Sequence, residues 1–68
     1  MAATPYKTEV LSQAKAAKRI AELGGDVESP AGKHEGATVY DFGGTFTKWS
    51  SQGRGQVKLE HFSGACPC

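Results

Sequence analysis

The chain has 68 residues with 8 basic and 7 acidic side chains, 2 histidines and a hydrophobic share of 38%. That length allows one small domain, and such a chain buries only about 60% of the surface its unfolded form exposes, so its core is thin. A net charge of +1 matches a long phosphate backbone poorly. No apolar run approaches the ~20 residues that span a bilayer, and no basic segment followed by an apolar one marks a secretory leader; the expectation is a cytoplasmic protein with no membrane role.

Residues 1–4 read as a short lead. Thr4-Pro5 fits a helix start, with Thr as the cap and Pro at the first helical position; Thr8, followed by Glu9, is an alternative cap. Alanines 14, 16, 17 and 21 favour helix, and Gly24-Gly25 supplies the stop. A helix over about 5–23 follows. At 100° per residue its apolar stripe is Tyr6, Val10, Ala14, Ala17 and Ala21, flanked by Leu11 and Ile20, with Lys15, Arg19 and Glu22 on the solvated side.

Residues 24–36 are rich in Gly, Pro, Ser and charge and read as a loop, with Val27 tucked back into the core. Three strands follow, over about 37–42, 45–50 and 56–62. Gly43-Gly44 suits a type I′ hairpin turn between the first two, Ser51–Gly55 forms a longer loop, and 63–68 is a flexible tail. The expected fold is therefore α+β: one N-terminal helix packed on a three-stranded antiparallel meander, in the order α-β-β-β.

Strand register follows from the turns. A Gly43-Gly44 turn sets Tyr40 opposite Thr47 and Thr38 opposite Trp49; a five-residue second loop sets Trp49 opposite Val57 and Thr47 opposite Leu59. One face then collects Thr38, Tyr40, Phe42, Thr47, Trp49, Val57, Leu59 and His61, the natural partner of the helix. The other face collects Val39, Asp41, Phe46, Lys48, Gln56, Lys58, Glu60 and Phe62. One helix covers one side of a sheet, so this second face is expected to meet solvent.

Chemistry-bearing motifs are sparse. Cys66 and Cys68 are the 2 cysteines, too close together and too near the end to staple the fold. With His61, and with His34 as a fourth ligand, they are the weak metal candidates, but the spacing meets no recognised zinc pattern. Neither thiol has a neighbouring cation or helix N-terminus to activate it. No segment unites a nucleophile, base and orienting group, and the glycine pairs lack phosphate-loop spacing. The expectation is a non-enzymatic protein with no cofactor.

Binding is the function class that remains. The outer sheet face, with Val39, Phe46, Lys48, Lys58 and Phe62, and the loop-tip Arg54 are the candidate partner-binding residues. The first strand, 37–42, has neither Lys nor Pro and reads as an open edge able to accept a partner strand. A small protein-interaction module follows, a regulator or inhibitor of a larger protein, with a homodimer through the same surfaces as a related expectation. The alternatives are nucleic-acid binding, with Phe46 and Phe62 stacking bases between lysines, and a metal or thiol-redox carrier through Cys66-Pro67-Cys68.

Overall fold

The computed structural model describes residues 4–65. Their order is β1 (Lys7–Ser12), α1 (Gln13–Glu22), β2 (Gly32–His34), β3 (Ala37–Asp41), β4 (Thr45–Gly53) and β5 (Gln56–Ser63). The strands form a 5-stranded sheet in the order β1-β5-β4-β3-β2, with every neighbouring pair antiparallel. The fold is α+β, with a wider sheet than a three-stranded meander.

The helix expected from residue 5 begins only at Gln13. The preceding segment, Lys-Thr-Glu-Val-Leu-Ser, alternates and contains two β-branched residues, and it pairs along β5 from Lys7↔His61 to Ser12↔Gln56. Tertiary pairing overrides the helix signal of Thr4-Pro5. Ser12, not Thr4 or Thr8, is the N-cap: its backbone is extended (φ −64°, ψ 159°) and its Oγ accepts from Lys15 N–H at 3.3 Å. The apolar stripe is rephased accordingly. Ala16 and Ile20, one turn apart, are the helix's buried residues, while Ala14 and Ala21 are exposed.

The helix ends where Gly24-Gly25 was expected to stop it. Gly24 adopts φ 93°, its N–H donates to Ala21 O at 3.1 Å, and Gly25 N–H donates to Ile20 O at 3.0 Å. This is the paired-bond cap that requires a left-handed residue after the helix. Gly25 also lies so close to the core that an added Cβ would sit 2.6 Å from Phe42 Cε1.

The stretch read as a loop over 24–36 contains a further strand. β2 pairs with β3 through Gly32↔Val39, Lys33↔Thr38 and His34↔Ala37. Glu35 (φ 54°) and Gly36 (φ 81°) form the two-residue turn between them, both with the positive φ of a type I′ hairpin. At Gly43-Gly44 only Gly43 has positive φ, 83°, which makes that turn type II′ rather than I′. The register it sets is the expected one, Thr38↔Trp49 and Tyr40↔Thr47.

The last hairpin differs by two residues. Its turn is Arg54-Gly55 (φ 54° and 73°), not a five-residue loop, with an irregularity between Ser51 and Gly53. Trp49 therefore faces Leu59, and Thr47 faces His61. A slip of two preserves which side chains share a face, whereas a slip of one would have inverted it. The helix-side core thus contains Ala16, Ile20, Tyr40, Val57 and Leu59, with Leu11, Val27, Phe42 and Trp49 packed against it. The Tyr40 hydroxyl donates to Val27 O at 2.8 Å, which pins the post-helix segment to the sheet. Burial, then the negative Asp26, pushes the Tyr40 phenol above its ordinary range.

Candidate interaction site

The outer sheet face is not the solvent-exposed platform expected of it. Val39, Phe46 and Phe62 form a second buried cluster, with Phe46 at 5% exposure and Phe62 at 4%. Phe46 and Phe62 are direct cross-strand partners, and their rings stack at 4.9 Å between centroids and 9° between planes. Lys48 stands opposite Val39 and lays its ammonium 5.2 Å from the Phe62 ring centroid, within 3.9 Å of Glu35 Oε1. The lysine stem shelters the apolar group while its charge reaches the sheet margin. Four of the residues expected to contact a partner, Val39, Phe46, Lys48 and Phe62, are packed with one another.

Of the other candidates, Lys58 is half-buried and Arg54 is exposed at the tip of the β4–β5 hairpin. His34 lies in β2 and meets Glu35 Oε1 at 2.9 Å. Cys66 and Cys68 lie outside the described residues. Among the described residues, no group of three or more His, Cys, Asp or Glu is arranged to hold a metal ion, and no helix is long and apolar enough to cross a membrane.

His61 has a role that its isolated position in the sequence did not indicate. It is buried between β1 and β4, with Nδ1 at 2.8 Å from Thr47 Oγ1 and Nε2 at 2.8 Å from Glu9 Oε2. Both ring nitrogens are thus engaged in hydrogen bonds. With Glu9 ionised, Nε2–H donates to the carboxylate and Nδ1 accepts from the Thr47 hydroxyl. Arg19 on α1 closes the chain of contacts, its Nη2 at 3.1 Å from Glu9 Oε1 and its Nη1 at 3.3 Å from Glu22 Oε1. Arg19 Nε is buried beside them and has no partner among the described residues.

Burial raises the Glu9 carboxyl, but the His61 hydrogen bond and the charges of Arg19, Lys7 and His61 outweigh it and hold the group below its ordinary range. The order Thr–His–Glu has the polarity of a nucleophile, base and orienter. Thr47, however, is 1% exposed, so its hydroxyl is closed to a substrate. The relay instead ties the first strand, the helix and the two central strands together through buried polar contacts.

The remaining open feature is the margin of β1. The strand expected to be an edge, β3, lies inside the sheet between β2 and β4, and β5 is covered by β1; the edges are β1 and β2. β2 spans only 3 residues, whereas β1 spans 6. Gln13 N–H donates to Gly55 O at 3.1 Å, in phase with the β1–β5 register. By antiparallel alternation, Lys7, Glu9 and Leu11 then bond inward to β5, and Thr8 and Val10 turn their backbone N–H and C=O outward, while the carbonyl of the N-cap Ser12 belongs to the helix.

The side chains of Thr8, Val10 and Ser12 carry no charge, so the charges on this edge strand are confined to Lys7 and Glu9. At its start, Tyr6 N–H also donates to His61 O, at 2.9 Å. Two residues, Tyr6 and Lys7, thereby oppose one in a β-bulge. The bulge breaks the alternation and brings the Tyr6 ring to the helix side, 6.2 Å from the His61 ring.

Among the described residues, the large hydrophobic ones that stay exposed are Tyr6, Val10 and Leu23, with Val10 at 53%. Val10 lies in β1 and Tyr6 immediately before it. Leu23 joins Tyr6, Lys7, Glu9, Arg19 and His61 in lining a cleft of about 180 Å³ beside the strand's first residues. The apolar surface left open by the fold is therefore gathered along one margin, which was legible only once β1 was recognised as a strand. No family model, curated protein or solved structure matches this chain.

Proposed function

We propose that this protein is a small non-enzymatic protein-binding module that takes a strand of its partner along the free margin of β1. The observation that carries the reading is the outward-facing backbone of Thr8 and Val10 on a 6-residue edge strand, with the exposed side chains of Val10 in the strand and Tyr6 just before it. An added strand satisfies those backbone groups, and the neighbouring side chains supply selectivity. Enclosure of Thr47 argues against a hydrolytic use of the polar relay. Mutual engagement of Phe46, Phe62 and Lys48 argues against their stacking on bases.

The test is capture from lysate of the source cell with the purified protein, with and without nuclease, comparing wild type with Val10→Pro. Proline at position 10 removes an outward N–H while leaving the inward bonds of Glu9 and Leu11 in place. A protein captured regardless of nuclease by wild type, and lost with a folded Val10→Pro variant, supports the reading. Capture that ignores Val10→Pro, or that vanishes with nuclease, contradicts it.

A further inference from the structure

We infer that the strand accepted by β1 is the β1 strand of a second copy, paired antiparallel with Thr8 opposite Thr8 so that two five-stranded sheets join into one. The inference rests on the edge-strand reading above and names its partner. Two-fold pairing centred on a residue of β1 sets even-numbered positions against even-numbered ones, so it keeps the outward bonds of Thr8 and Val10 in phase. Centring on Lys7 sets lysine against lysine, and centring on Glu9 sets glutamate against glutamate; like charges directly opposite are unfavourable.

Centring on Val10 sets Val10 against Val10 and Glu9 against the apolar Leu11. Centring on Thr8 sets Lys7 of each copy opposite Glu9 of the other, twice by symmetry. Those two pairs fall at the non-hydrogen-bonded positions, where facing side chains approach most closely. The strand is thus self-complementary in charge in one register. In that register Thr8 opposite Thr8 supplies the reciprocal backbone bonds, while Val10 of each copy faces Tyr6 of the other, whose N–H is committed to His61 O.

Glu9 suits this role because its carboxyl is already held ionised by Arg19 and His61. Lys7 of the other copy would add a longer-range attraction to a carboxylate whose two oxygens already face Arg19 and His61. Joining the edges also covers the longer of the two sheet margins and extends the thin core that a chain of 68 residues builds.

Sedimentation and light scattering over a dilution series are the first arm of the test. The wild type should approach twice its 7.2 kDa mass as concentration rises, and Lys7→Glu should weaken association at least threefold by setting Glu against Glu9. The second arm places single cysteines in a Cys66→Ser, Cys68→Ser background. Facing residues at a hydrogen-bonded antiparallel position lie about 5.5 Å apart at Cα, within disulfide range.

Thr8→Cys should therefore cross-link under mild oxidation. Val10→Cys, displaced by several residues from its own copy, should not. A wild type that stays monomeric at millimolar concentration overturns the inference. So does cross-linking through Val10→Cys in place of Thr8→Cys. A monomeric protein whose capture of another protein is lost with Val10→Pro removes the second copy and leaves the edge-strand module standing.

Discussion

Glu9 on the first strand and His61 on the last are joined by a 2.8 Å hydrogen bond across 52 positions of sequence. The contact anchors an edge strand to the core by a polar side chain, and Arg19 extends the anchor to the helix. It also gives the edge a titratable fastening. Because the Glu9 carboxyl is depressed in the folded protein, the stability it adds is fully present above the ordinary carboxylate pKa of about 4.3. That stability is lost as pH falls through the lower, folded value. Glu9→Gln should be less stable than wild type at neutral pH, and the gap should close as the medium is acidified below about pH 4. Urea midpoints across pH 3–7 test this; a gap that persists unchanged into acid contradicts the assignment.

Phe46→Ala separates the two views of the outer sheet face. A solvent-facing phenylalanine would be replaced at little cost. The stacked, buried ring described here should cost about 3 kcal/mol or more, a large share of the stability of so small a domain. Thermal or denaturant unfolding reads the difference directly.

Gly25 is held by space rather than by φ. A methyl group there meets Phe42 Cε1 at 2.6 Å and Ile20 Cγ2 at 3.1 Å, so Gly25→Ala should destabilise by about 1–3 kcal/mol. Pairing it with Phe42→Leu, which withdraws the ring atom, should recover part of the loss in a double-mutant cycle.

Arg54 occupies the left-handed region at φ 54°, where a non-glycine side chain is strained by about 1–2 kcal/mol. Asparagine tolerates that conformation, and Asn-Gly is a favoured type I′ pair. Arg54→Asn should therefore raise stability by about 0.5–1 kcal/mol, visible as a higher denaturant midpoint with an unchanged slope. If the variant also leaves partner capture intact, Arg54 takes no part in binding.

How much of this was legible in the sequence depends on where the deciding contacts lie. The β3–β4 register followed from Gly43-Gly44 because a two-residue turn fixes pairing locally. The face assignment of β5 survived a wrong loop length because the error was an even number of residues. β1 was missed because its partner, β5, lies some fifty positions downstream, and the alanine-rich segment after Ser12 lent its helix signal to the residues before it. The alternation of Lys7–Ser12, with Ser12 as a possible cap, was the local sign available.

Glu35-Gly36 concealed β2 because glutamate is not a favoured residue for positive φ. The polar relay was not legible at all, since Glu9, Arg19, Thr47 and His61 come from four elements and share no spacing. The outer face was grouped correctly, but cross-strand stacking of Phe46 on Phe62 and the fold of Lys48 over that ring decide its exposure, and neither is written in the pattern of alternation.

The open margin of β1 is tested most directly by amide hydrogen exchange, residue by residue, in dilute and in concentrated protein. In dilute solution Glu9 and Leu11 should be protected, while Thr8 and Val10 exchange quickly, since their N–H groups face outward. On association Thr8 and Val10 should slow selectively. Protection of Thr8 and Val10 in the dilute protein, or fast exchange that persists at both positions once the protein has bound its partner, would contradict the account.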